Sequence, residues 1–182
     1  MKRRIAGLAT LLVSLSTSVR AETLTEHLVF VSPSGFKASY RQGNTTEWVP
    51  EGETVDDWTE MVTVQIYSIA PTVTQATFLD GIARNWMAAC PETPKQTIYT
   101  GTTNGYPVSM LLLSCPKNAQ TGKPETTGFR VIQGNDRLYT VQRAFRSVPS
   151  SESLGAAMKY LGTVSLCDSE RAGHPCPTAT GR

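Results

Sequence analysis

Apolar positions run almost unbroken through residues 58–67, Trp-Thr-Glu-Met-Val-Thr-Val-Gln-Ile-Tyr, a stretch that is β-branched and aromatic and free of Gly and Pro. The pattern predicts a long interior strand with apolar cover on both faces, with Trp58 expected beside Val62, Val64 and Ile66. A second near-continuous run, Met110-Leu-Leu-Leu113, predicts another interior strand. Shorter alternating runs at 27–31, 36–41, 97–103, 106–114, 126–133 and 137–146 read as further strands, and Asn104-Gly105 is the strongest hairpin signal among them. Pro33-Ser-Gly35 reads as the turn of a first hairpin, and Gly134-Asn-Asp136 as the turn of the last.

The helical period appears twice. Phe78, Ile82, Trp86 and Cys90 recur every four residues, with Leu79 and Ala83 widening the stripe, a cap at Thr72 or Thr74, and Pro91 as the stop. Leu154, Ala157, Met158 and Leu161 form a second stripe, capped by Ser150 or Ser151 and closed by Gly162. The resulting order is β-β-β-α-β-β-β-β-α. It predicts an α+β fold in which two helices lie on a mainly antiparallel sheet, an α/β/α sandwich.

The ends of the chain change the picture. Lys2, Arg3 and Arg4 precede an apolar run from Ile5 to Leu15, and Val19-Arg-Ala21 offers small residues at a cleavage site. That sequence predicts a signal peptide at 1–21, cleaved after Ala21, and a periplasmic or secreted protein. These residues carry four basic side chains and no acidic one, so the formal charge of +2 becomes about −2 without them. The basic balance is therefore no argument for nucleic acid. The remainder is expected to form one domain over 22–166, with a disulfide loop and flexible tail over 167–182 and no membrane span. Cys90, Cys115, Cys167 and Cys176 allow three pairings. Pairing Cys90 with Cys115 and Cys167 with Cys176 is preferred, as it ties a helix end to a strand end and closes a short polar loop.

The element order and four short stretches resemble the PsbP-like fold: Gly35-Phe36, Trp58-Thr-Glu-Met61, the helix from Phe78 to Trp86, and Leu138-Tyr-Thr-Val141. The resemblance implies an initial hairpin and a third strand leading into a long helix, then a four-strand meander and a C-terminal helix. It also implies a protein that is mostly non-enzymatic, such as an assembly factor, adaptor or extrinsic subunit. It carries over no functional residue.

Chemistry is sparse. His27 and His174 are the two histidines, and no nucleophile elbow, phosphate loop or zinc-protease motif accompanies them. Glu60, inside the interior strand, could serve acid–base chemistry with Asp56 or Asp57, or with His27 in a small hydrolase or metal-dependent enzyme. Pairing to a sheet arginine such as Arg143 is the preferred reading. Cys167, Asp168, His174 and Cys176 could hold zinc, but a disulfide suits an oxidising compartment better. No cofactor is expected. Residues 46–57, read as a loop, carry Glu47, Glu51, Glu53, Asp56 and Asp57 beside Trp48 and no basic residue. Arg130, Arg137, Arg143 and Arg146 gather on the last hairpin, so the charges split; two solvated faces are the preferred reading of that split, and steering of a partner is the alternative. The favoured function is an exported, non-catalytic protein recognising another protein of the bacterial envelope, such as an envelope-complex accessory or a toxin-immunity protein. Glu47, Trp48, Glu51, Glu53, Asp56 and Asp57 are its expected contact residues. A carrier of a small apolar ligand, lined by Trp86, Met87 and Met110, is the remaining alternative.

Overall fold

The computed structural model describes residues 25–70, 72–94, 96–119 and 121–178. The expected signal peptide lies outside them. The elements are β1 (Glu26–Val29), β2 (Phe36–Gln42), β3 (Thr45–Pro50), β4 (Glu60–Ser68), α1 (Gln75–Ala89), β5 (Gln96–Thr103), β6 (Tyr106–Cys115), β7 (Glu125–Gln133), β8 (Arg137–Phe145), α2 (Ser151–Thr163) and β9 (Ser165–Asp168). Strands β2 to β8 form one sheet in the order β2-β3-β4-β8-β7-β6-β5, with every neighbouring pair antiparallel. The interior strands read from sequence, β4 and β6, are paired on both edges.

Alternation along these strands sorts side chains onto two faces. On one, α1 lays Leu79 and Ala83, with Phe78, Ile82 and Trp86, onto Leu111, Leu113, Phe129, Val131 and Leu138. On the other, α2 brings Leu161 and Met158 against Val62, Val64, Val108, Ile132 and Val141. The result is the α/β/α layering. Thr74 caps α1, accepting from the Thr77 backbone while Thr77 answers with its own hydroxyl, and Ser150 caps α2. Close approach of α2 needs Gly128: a Cβ there would lie 2.9 Å from both Leu161 Cδ1 and Met158 Sδ. At the β5–β6 turn, Asn104 and Gly105 hold φ of 46° and 81°, as a type I′ turn requires.

Three expectations are corrected. The first strand does not form a hairpin with the second. β1 pairs with β9, a strand not read from the sequence, with Glu26 opposite Asp168 and His27 opposite Cys167. The apolar residues Leu28 and Phe30 find their cover over the α2 face, beside Val164, Leu166 and Trp48. Secondly, half of the supposed acidic loop is strand. β3 pairs with both β2 and β4, because Val49 turns to one face and Trp48 to the other. Finally, Trp58 does not share the face of Val62 and Val64. It precedes β4 and packs with Val49, Met61 and Ala144 on the opposite side.

The cysteines pair 90 with 115 and 167 with 176, at Cα separations of 5.8 and 4.8 Å. The expected domain boundary at 166/167 falls inside β9. Beyond it the backbone of Asp168 donates to the carbonyl of His174, and the His174 ring stacks on Tyr106 at 4.2 Å. Among the described residues no helix is long and apolar enough to cross a membrane.

Candidate functional site

The acidic segment is a built surface. Glu47 sits half-buried on β3 opposite Thr63 of β4, and burial pushes its carboxyl up, against the lowering influence of Thr63. Trp48 meets Phe30 edge to face at 5.1 Å. Glu53 turns back to brace the loop, accepting from the backbone and the hydroxyl of Thr59 at 2.7 Å each. Thr54 and Asp57 close a further small turn, the Asp57 backbone donating to Thr54 Oγ1 at 3.2 Å. The loop is anchored by buried Trp58, over which the Arg146 guanidinium stacks at 4.1 Å while donating to the Asp56 carbonyl at 3.1 Å. Of the six expected contact residues, Glu47, Trp48 and Glu53 are thus engaged within the fold. Glu51, Asp56 and Asp57 are exposed.

Glu60 is committed elsewhere. Its carboxylate accepts from Arg143 Nη2 at 2.8 Å, the pairing preferred from sequence. Arg143 itself lies over the rings of Tyr160, Phe36 and Phe145 at 5.5–5.9 Å. His27 is exposed on β1, with all four cysteines in disulfides. Among the described residues, no group of three or more His, Cys, Asp or Glu is placed to hold a metal.

The expected basic patch is dispersed. Arg137 reaches Asp136 at 3.7 Å, Arg143 and Arg146 are occupied as described, and Arg130 is 4% exposed.

A buried polar cluster was missed by sequence reasoning. Glu26, 9% exposed, accepts from the backbone and side chain of Asn135 at 3.0 and 2.6 Å and from the Tyr139 hydroxyl at 3.3 Å. It pins β1 to the β7–β8 turn. Burial, then the charge of Glu26, push the Tyr106 phenol up to about 12, and burial with the charge and hydrogen bond of Glu26 raises Tyr139. Asp168 is held below the ordinary carboxyl value, first by the Glu170 backbone N–H and then, against desolvation, by Thr25, Arg171 and His174. Asn104 ties this cluster to the C-terminal segment by donating to the carbonyls of Leu166 and Pro175. The only sequence signal was a Glu at the start of a strand, which alternation does not distinguish from a solvated one.

A cleft of about 380 Å³ opens where α1 leaves the β4–β8 side of the sheet uncovered. Its walls are aromatic (Tyr67, Phe78, Trp86, Phe129), and its floor carries Gln65 and Gln142. Gln142 donates to Gln65, and Gln65 to Thr45, forming an amide chain across three strands. Trp86 lines this cleft and Met87 packs nearby. Met110 lies on the other face of the sheet, so the three residues expected to line an apolar site are not brought together.

No protein-family model matches the chain, and no curated protein matches it. Solved structures match its shape. The Ran-binding protein Mog1p of Saccharomyces cerevisiae is 10% identical with a TM-score of 0.51, the match covering 84% of this chain and 100% of Mog1p. LpqN of Mycobacterium tuberculosis, involved in cell envelope biogenesis, is 11% identical with a TM-score of 0.51, covering 81% of this chain and 87% of LpqN. The cyanobacterial PsbP of Synechocystis is 12% identical over 85% of this chain and 98% of its own, with a TM-score of 0.41. The PsbP-like expectation stands as a likeness of fold, and the fold shared with Mog1p and LpqN says nothing by itself of activity.

Proposed function

We propose that this chain is an exported, non-catalytic accessory protein that captures a basic surface on another protein of the envelope, as an envelope-complex subunit or a toxin-immunity protein does. The observation that carries this reading is the loop after β3. It holds Glu51, Asp56 and Asp57 in solvent on a backbone fixed by Glu53, Trp58 and Arg146. Preorganisation lowers the ordering cost of association, and like charges on one rigid loop raise the rate of encounter with a basic partner. Two disulfides fit an oxidising compartment. Glu60 and the cysteines are taken up in an ion pair and in disulfides. Mog1p binds Ran and LpqN serves envelope biogenesis; both are compatible with a binding role on this scaffold.

The test is the triple variant E51Q/D56N/D57N, which leaves Glu53 and the loop's bracing intact. Affinity capture from envelope extract should recover a protein with the parent chain and lose it with the triple variant. Recovery of the same protein by both chains would overturn the reading.

The cleft beside α1 supports a second reading, a carrier for a ligand with an aromatic or aliphatic body and an amide-binding edge. Trp86 would report it. Quenching of its fluorescence by a ligand co-purified from the native source would favour this reading over the first.

A further inference from the structure

Arg130 lies on β7, on the face that α2 covers, and is 4% exposed. Its register neighbours are Met110 on β6 and Val141 on β8, with Tyr99 of β5 beyond Met110. None is acidic. Nη1 reaches the Met110 sulfur at 3.4 Å, a weak acceptor, while Nε has no hydrogen-bond partner. Among the described residues no carboxylate pairs with it, whereas Arg137 and Arg143 on the same hairpin each meet one. A lone buried guanidinium is among the costliest arrangements a core can hold. Desolvation correspondingly lowers its pKa, and Tyr99 is the one group that offsets this.

The residues around Arg130 line a cavity of about 330 Å³: Tyr99, Thr102, Thr103, Met110 and Gly162. Thr103 and Tyr99 share the strand face of Met110, so Thr103 brings a hydroxyl to that side and the Tyr99 ring forms a side of the mouth, while Thr102, opposite Pro107 on the other face, offers its backbone carbonyl, which accepts from the Tyr99 hydroxyl. Gly162, in the last turn of α2, leaves the opening clear: a Cβ there would meet nothing within 4 Å. The carbonyl end of α2 supplies a fraction of a negative charge at most, so most of the guanidinium charge stays uncompensated. The size suits a small organic anion.

We infer that this cavity binds a small ligand through an oxyanion, a carboxylate or a phosphate, held by the buried fork of Arg130 with the Thr103 hydroxyl beside it. A planar guanidinium matches two oxygens of either group. The site lies on the β5–β7 side of the sheet, away from the acidic loop beyond β3, and stands whether or not that loop docks a partner.

The experiment uses the oxidised full chain and four probes: inorganic phosphate, phenyl phosphate, phenylacetate and, as the neutral control, phenylethanol. The Arg130 Nε–H resonance should move on titration with at least one anion class, with that of Arg143 unmoved and the neutral control silent. The class that binds more tightly tells phosphate from carboxylate. The variant R130M should weaken that anion about tenfold or more, as loss of a charged hydrogen-bond donor does. It should also unfold no lower than the parent without ligand, because it removes an unpaired buried charge. R130K, which keeps the charge and loses the fork, should bind between the two. An Arg130 resonance that no anion moves, anion binding unchanged in R130M, or an R130M chain that unfolds well below the parent would each overturn the site.

Discussion

Gly128 and Gly155 respond oppositely to the same added methyl group. At Gly128 the new carbon meets Leu161 and Met158 at 2.9 Å, so G128A must push α2 off the sheet and should destabilise by about 1–3 kcal/mol. At Gly155, inside α2, nothing lies within 4 Å, so G155A should stabilise by about 0.5–1 kcal/mol through helix propensity alone. Denaturant midpoints of the two variants check both signs. Asp168 gives a pH dependence. Its native carboxyl is more acidic than the ordinary value of 3.8, so its contribution is complete above that value and is lost as pH falls through the lowered native one. D168N should therefore flatten the acid limb of stability as pH falls below the ordinary value of 3.8; an acid limb as steep as the parent's would contradict it. Single residues were legible where a pattern constrained them. The Glu60–Arg143 pair was readable because both sit in interior strands of opposite charge. Arg130 was counted as surface because strand alternation records which face a side chain takes, not whether a helix covers that face.

The loop from β3 to β4 and the β1–β9 ribbon each depend on a few side chains that reach across sequence. Glu53 makes two short bonds to Thr59, so E53A should free the loop, cost about 1–2 kcal/mol, and raise hydrogen exchange at the Thr59 amide. The ribbon and the C-terminal segment are closed by Cys167–Cys176, a span of 9 residues, and the helix end by Cys90–Cys115, a span of 25. Loop-closure entropy makes the first worth about 2.5–3 kcal/mol and the second about 3.5 kcal/mol. Paired Cys-to-Ser variants should follow that order in thermal unfolding, and loss of the 167–176 bridge should also loosen the stacking of His174 on Tyr106. Both helices and the Asn104-Gly105 hairpin were legible because period, caps and turn residues agreed. β9 was not: Ser-Leu-Cys-Asp is four residues, with one strongly apolar side chain to show its period. β3 was obscured by Glu47 and by Pro50 at its end, although Trp48 and Val49 divide cleanly between the two faces.

Taken whole, the molecule separates the exposed acids of the loop after β3 from the buried cation on β7, with β4 and β8 between them in the sheet. The antiparallel sheet between two helices followed from strand and helix periods. The pairing of the first strand with the last did not, since contacts between chain ends leave no local signature. Alkaline titration reports on the packing as a unit. Tyr106 and Tyr160 are pushed up to about 12, mainly by burial, so they stay neutral in the folded chain. Because the native phenols ionise later than unfolded ones, stability is full below the ordinary value of 10 and falls as pH rises from there toward 12. Absorbance of ionised tyrosine should therefore rise together with loss of structure; ionisation of these phenols in a still-folded chain would contradict this. The proposed capture through the acidic loop is tested by placing a photo-crosslinking residue at Asp57 in the oxidised chain within its native host. A matching residue at exposed Lys159 on α2 serves as control. One protein should crosslink at position 57, be absent at 159, and be lost when Glu51 and Asp56 are also neutralised. The same products from both positions, or none from 57, would contradict it.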